Sequence, residues 1–155
     1  MYCDAVKAGS LSGVRAHVLR HVTGMLLAST LLAANAFDLQ GHRGARGLLP
    51  ENTMAGFNRT LDIGVTTLEL DIVITADGVP VIHHDAALNP AFTRDAQGRW
   101  LSGRGPLIRS LTLAQLQAFD VGRLDPASAY AREFPDQQGR DGERVPTLAA
   151  LNACS

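Results

Sequence analysis

Residues 66–84 read TTLELDIVITADGVPVIHH, and their alternation decides how the rest of the chain is laid out. Thr66 to Thr75 is rich in β-branched residues at period two, the pattern of a strand. Asp77-Gly78 is a turn signature and Val79 to His84 is a second extended run, so the spacing predicts strand, hairpin, strand. Glu69 and Asp71 stand two apart in the first run, and on one strand they share a face with Cα atoms about 6.6 Å apart. Two carboxylates among Leu, Ile and Val repel each other and cost desolvation unless a hard divalent cation or a basic partner compensates them. A solvent-facing strip of an exposed strand is the alternative. In a parallel sheet covered on both faces, the ion site is the better reading.

Working outward, Phe37 to His42 is an apolar lead into His42-Arg43-Gly44, as in a strand that ends in a tight turn. Asn52 or Thr53 is placed to cap a helix carrying Met54, Phe57 and Leu61 on one face and stopping at about Asp62 or Gly64. From Asp85 to Arg144 the sequence is polar and rich in Gly, Pro, Arg and Asp, with one expected helix from Thr112 to Phe119. A section that long without strand signals reads as an excursion from the scaffold. Pro146-Thr147-Leu148 then opens a further helix. Strand, helix and strand in succession indicate an α/β protein with a parallel sheet or barrel, whose functional groups gather at the carboxyl ends of strands.

Composition narrows the class. The 155 residues are 46% hydrophobic, 19% charged and 5% aromatic with a net charge of −1, which suits one globular domain and gives neither a basic footprint nor a stacking platform for nucleic acid. Residues 1–36 read as an export signal: Arg15 and Arg20 precede the apolar run Met25 to Ala34, and Ala34-Asn35-Ala36 suits cleavage after Ala36. The run is far below the ~20 residues of a membrane helix, so an uncleaved tether is the weaker alternative. The expected mature segment, 37–155, holds eleven basic against fourteen acidic residues, a net −3, and no lysine. It keeps Cys154 without Cys3, so it has no internal disulfide. The expected location is periplasmic or secreted.

His42-Arg43 and His83-His84-Asp85 each follow an extended run, which brings imidazoles near the carboxylates at the strand ends. Two histidines on opposite sides of a phosphate can serve as base and acid, and a guanidinium can hold its oxygens. Each alone is more often a structural residue.

The strings GHRGARGLLPENTMAGF and TTLELDIVITADGVPVIHHDAALN, with the HRG, PENT, ExD and DGxPVxxHD motifs in order, resemble the amino-terminal half of glycerophosphodiester phosphodiesterases. A weaker match continues through Ser110-Leu111-Thr112 and Val145-Pro146-Thr147-Leu148. The resemblance implies the amino-terminal portion of a TIM (β/α)8 barrel of the phospholipase-C-like phosphodiesterase type, left incomplete. It implies His42 and His84 as catalytic base and acid, Arg43 as phosphate-binding, Glu69 and Asp71 as ligands of Ca2+ or Mg2+, and Glu51 as a supporting acid that orients Arg43 or helps with the metal. His83 and Asp85 are supporting at best.

The reaction implied is metal-dependent hydrolysis of a small-molecule glycerophosphodiester to sn-glycerol 3-phosphate and an alcohol. A further metal-binding glutamate and a lysine of the family pattern lie on a strand beyond the PTL helix and have no counterpart here, so this polypeptide alone is expected to be an inactive fragment. The competing readings are a non-catalytic phosphate- or cation-binding remnant and a phospholipase-like phosphodiesterase.

Overall fold

A computed structural model describes residues 38–153, so the expected export signal and Cys154 lie outside the described residues. Strand β1 (Gln40–His42) pairs in parallel with β2 (Thr67–Glu69), and helix α1 (Met54–Asp62) makes the crossover between them. Strand β3 (Ile72–Ile74) forms an antiparallel hairpin with β4 (Pro80–Ile82) around the Asp77-Gly78 turn, where Gly78 takes a φ of 80°. The expected strand from Thr66 to Thr75 is therefore two strands in two pairings, with a break at Leu70-Asp71. Glu69 ends β2 and Asp71 lies between β2 and β3, so the same-face geometry of one strand does not apply to them. The backbone carbonyl of Asp71 accepts from the His83 amide at 3.0 Å, so at the break this segment pairs with the chain just past β4.

Helix α1 starts where the sequence places it: the Thr53 hydroxyl accepts from the Gly56 amide, and Gly64 closes the other end at a φ of 91°. Its buried face is the expected one in part, since Met54 packs into the Phe57 cluster and Leu61 does not. Phe57 is buried together with Gly56 and Thr60, whereas Leu61 is 41% exposed. Close approach to β1 selects that face, because a Cβ on Gly41 would lie 2.3 Å from the Thr60 methyl carbon. Only glycine admits the helix at that distance.

Strand β4 is buried on both sides. Val81 packs into a cluster with Leu88, Phe92, Ile108, Leu116, Val121 and Val145, while its neighbour Ile82 packs with Phe57 and Leu151. On its free edge the Ile82 amide donates to the Pro146 carbonyl, which leads into α4 (Leu148–Asn152), capped by Thr147. Strand β3 is covered on one face only: Val73 packs inward, and Ile72 and Ile74 are 43% and 47% exposed.

The 85–144 section is no excursion from the core, since Leu88, Phe92, Ile108, Leu116 and Val121 all come from it. Backbone pairs hold it without regular strands: Arg94 and Asp120 exchange both amide bonds, and the Val121 amide donates to the Glu143 carbonyl. The expected helix at 112–119 is shorter, α2 (Leu113–Leu116), opened by a capping box between Thr112 and Gln115. It tightens at Ala118 and Phe119, whose amides bond three residues back, because Asp120 is engaged by Arg94. A further helix, α3 (Ala129–Glu133), capped by Ser128, has no periodic signal in the sequence and carries Tyr130 toward the strand ends.

Candidate active site

The turn after β1 sets the site. Arg43 has a φ of 53° and Gly44 one of 81°, so two successive residues lie in the left-handed region. That conformation is costly for a non-glycine residue and persists where its surroundings hold it. Here the Arg43 carbonyl accepts from the Asn52 amide at 2.9 Å, and the Arg43 amide donates to Glu69 Oε2 at 2.9 Å. Asn52 also has a φ of 53°, which Asn tolerates better than most residues. The HRG and PEN segments are thus two halves of one clamp.

Register brings in the rest. His42 is the direct β-partner of Glu69, and its Nε2 lies 3.8 Å from Glu69 Oε2. The Arg43 guanidinium lies between two acids: Nη1 donates to Glu51 Oε1 at 3.1 Å, and Nε stands 3.6 Å from Asp71 Oδ2, an ion-pair distance too long for a hydrogen bond. Glu51 is buried, and its second oxygen accepts from the Tyr130 hydroxyl, which places it to hold Arg43. Burial, reinforced by the Glu51 carboxylate, pushes the Tyr130 hydroxyl up to about 12.

The structure brings together His42, Arg43, Glu51, Glu69 and Asp71. His84 stands one residue past the Asp71–His83 backbone bond, and its imidazole pairs with Asp85, Nδ1 to Oδ1 at 2.7 Å. Asp85 also accepts from Asn89 Nδ2 at 2.9 Å. Burial pushes the Asp85 carboxyl up, but the bonds from His84 and Asn89 outweigh it and hold the group below the ordinary aspartate value. An ionised Asp85 favours the His84 tautomer with the proton on Nδ1 and leaves Nε2 for proton transfer. His83 is buried against Phe92 with Nδ1 on the Asp85 carbonyl, and burial depresses its pKa.

Glu69 and Asp71 fit a hard cation in donor type, and Asp71 Oδ2 is a buried oxygen without a hydrogen-bond partner. No group of three His, Cys, Asp or Glu side chains that could hold a metal ion gathers among the described residues. Sequence reasoning missed Tyr130, which lies 79 residues from Glu51 and outside any motif. Asp85, expected to be supporting at best, stands against the His84 imidazole.

The sequence matches the model of the Glycerophosphoryl diester phosphodiesterase family over residues 42–153. Glycerophosphodiester phosphodiesterase 1 of Rattus norvegicus is 38% identical over 116 residues, 73% of this chain and 29% of the relative. A crystal structure from Silicibacter pomeroyi that bears the family's name is 52% identical, with a TM-score of 0.71 over 72% of this chain and 38% of that one. A phosphodiesterase of Oleispira antarctica, solved in complex with the product sn-glycerol-3-phosphate, is 30% identical, with a TM-score of 0.51 over 74% of this chain and 39% of that one. This chain therefore spans well under half the length of these relatives. Its elements are a portion of a TIM-type α/β barrel, as the resemblance implied.

Proposed function

This chain belongs to the glycerophosphoryl diester phosphodiesterase family, and we propose that it supplies the acid, the base, the phosphate anchor and two metal-binding carboxylates of a glycerophosphodiester phosphodiesterase. The observation that supports this reading is the meeting on one rim of an imidazole, a guanidinium and two carboxylates, with His42 3.8 Å from Glu69 and Arg43 3.6 Å from Asp71. The substrate is a glycerophosphodiester, cleaved to sn-glycerol 3-phosphate and an alcohol such as choline or ethanolamine.

One imidazole of the His42 and His84 pair takes the proton of the glycerol 2-hydroxyl. That oxygen attacks phosphorus, and the other imidazole protonates the departing alcohol. Water then opens the cyclic phosphate with the two roles exchanged. Asp85 keeps His84 in the tautomer this needs, and Arg43 holds the phosphate oxygens that carry charge through both steps. Glu69 and Asp71 would hold a divalent cation, Ca2+ or Mg2+, which when bound neutralises phosphate charge and lowers the pKa of the glycerol hydroxyl.

The test is calorimetric titration of the purified 155-residue chain with sn-glycerol 3-phosphate and Ca2+ or Mg2+. Saturable, cation-dependent binding is expected, and Arg43→Lys should weaken it about tenfold by losing the planar fork. Absence of binding would refute this account of the site. Because only two candidate carboxylate ligands converge among the described residues, we expect turnover of glycerophosphocholine by this chain alone to stay at background. Metal-dependent turnover above background would overturn that expectation.

We also propose that the chain is exported, periplasmic or secreted, with residues 1–36 removed after Ala36, on the support of the Arg, apolar run and Ala-Asn-Ala order. Amino-terminal sequencing of exported material should begin at Phe37. No helix among the described residues is long and apolar enough to cross a membrane.

A further inference from the structure

Tyr130 itself lies in none of the recognised motifs, yet its hydroxyl donates to the buried Glu51. Glu51 uses its other oxygen on Arg43 Nη1 at 3.1 Å. The side chain is held from three sides: its ring lies 6.0 Å from Phe92 and 5.1 Å from Phe134, and Arg46 Nη1 donates to its hydroxyl at 3.4 Å. Arg46 itself lies 4.9 Å over the Phe134 ring, and its carbonyl accepts from Gln137 Nε2 at 2.7 Å. This is a fixed donor aimed at one carboxylate oxygen.

We propose that Tyr130 is a positioning residue for phosphate binding, acting on Arg43 through Glu51. A free Glu51 carboxylate could rotate and offer both oxygens to the guanidinium, closing Arg43 into a bidentate pair and turning it from the phosphate. With one oxygen committed to Tyr130, Glu51 contacts Arg43 through Nη1 alone, Nε faces Asp71 at 3.6 Å, and Nη2 is left to meet a ligand. This rests on the reading of Arg43 as the phosphate anchor. It adds that the 85–144 section sets the anchor's geometry.

The test uses the full chain and two readouts. In the first, the dissociation constant of sn-glycerol 3-phosphate is measured for the unaltered chain, Tyr130→Phe, Glu51→Gln and the double variant. Tyr130→Phe should weaken binding about tenfold, the scale of one hydrogen bond to a charged group. In the Glu51→Gln background the same change should cost less than about twofold, because a single amide oxygen cannot accept from Arg43 and Tyr130 together and the link between them is broken. An equal loss in both backgrounds, or no loss in either, overturns the proposal.

In the second, the Arg43 side-chain Nε–H resonance, assigned by its disappearance in Arg43→Lys, should shift in Tyr130→Phe although Tyr130 does not touch Arg43. A resonance that stays put also overturns the proposal. If the unaltered chain fails to bind sn-glycerol 3-phosphate, the phosphate-anchor reading falls, while the Nε–H signal still decides whether Tyr130 governs Arg43.

Discussion

Replacing Glu51 with Ala removes the carboxylate that accepts from both Arg43 Nη1 and the Tyr130 hydroxyl. The Arg43 side chain is only 14% exposed, so the variant leaves a nearly buried guanidinium facing Asp71 alone, at 3.6 Å and without a hydrogen bond. Stripping one partner from a buried pair costs about 3–5 kcal/mol. Asp71, with 31% of its side chain exposed, can compensate in part, which places the expected loss at the lower end, about 3 kcal/mol. For a domain of this size each kcal/mol moves the midpoint by about 3–4 °C, so the melting temperature should fall by about 10 °C. Thermal unfolding followed by circular dichroism measures it, with Glu51→Gln falling less because its amide oxygen still accepts one of the two bonds. A Glu51→Ala chain that melts within about 2 °C of the unaltered one would show that Arg43 does not depend on this acid, and the account of the clamp would be wrong.

Gly41→Ala should destabilise the chain by about 1–3 kcal/mol, because its Cβ would meet the Thr60 methyl carbon at 2.3 Å. Adding Thr60→Ser, which removes that methyl and keeps the hydroxyl that donates to the Gly56 carbonyl at 2.9 Å, should recover part of the loss in the same melts. If the double variant is no more stable than Gly41→Ala, this contact does not set the approach of α1 to β1. Burial depresses the pKa of His83, so its neutral form is favoured in the folded state. The stability this contributes is present above the ordinary value of 6.5 and is lost as pH falls through the folded value. Melting temperatures taken from pH 7.5 downward should therefore drop through this group as the solution is acidified, and His83→Gln should flatten that slope. Equal slopes would remove His83 from the acid response.

What the sequence determined by itself was whatever depends on local pattern and on motif order. The helix after PENT, its Thr53 cap and its Gly64 stop follow from neighbouring residues, because capping and left-handed termination act within a few positions. The Asp77-Gly78 hairpin follows from its turn residues. The motifs also named His42, Arg43, Glu51, Glu69 and Asp71, which the fold then drew together. Only the tertiary structure decided the break at Leu70-Asp71, because an unbroken β-branched run does not record that its two halves pair with different partners. It alone decided which face of α1 is buried, since that turns on the space at Gly41, and it alone made the 85–144 section part of the core. Leu88, Phe92, Ile108, Leu116 and Val121 have no common period, because loops fixed by backbone pairs place them one at a time. Tyr130 and Glu51 meet for the same reason: a contact across 79 residues is set by how the chain closes on itself, and no local pattern encodes it.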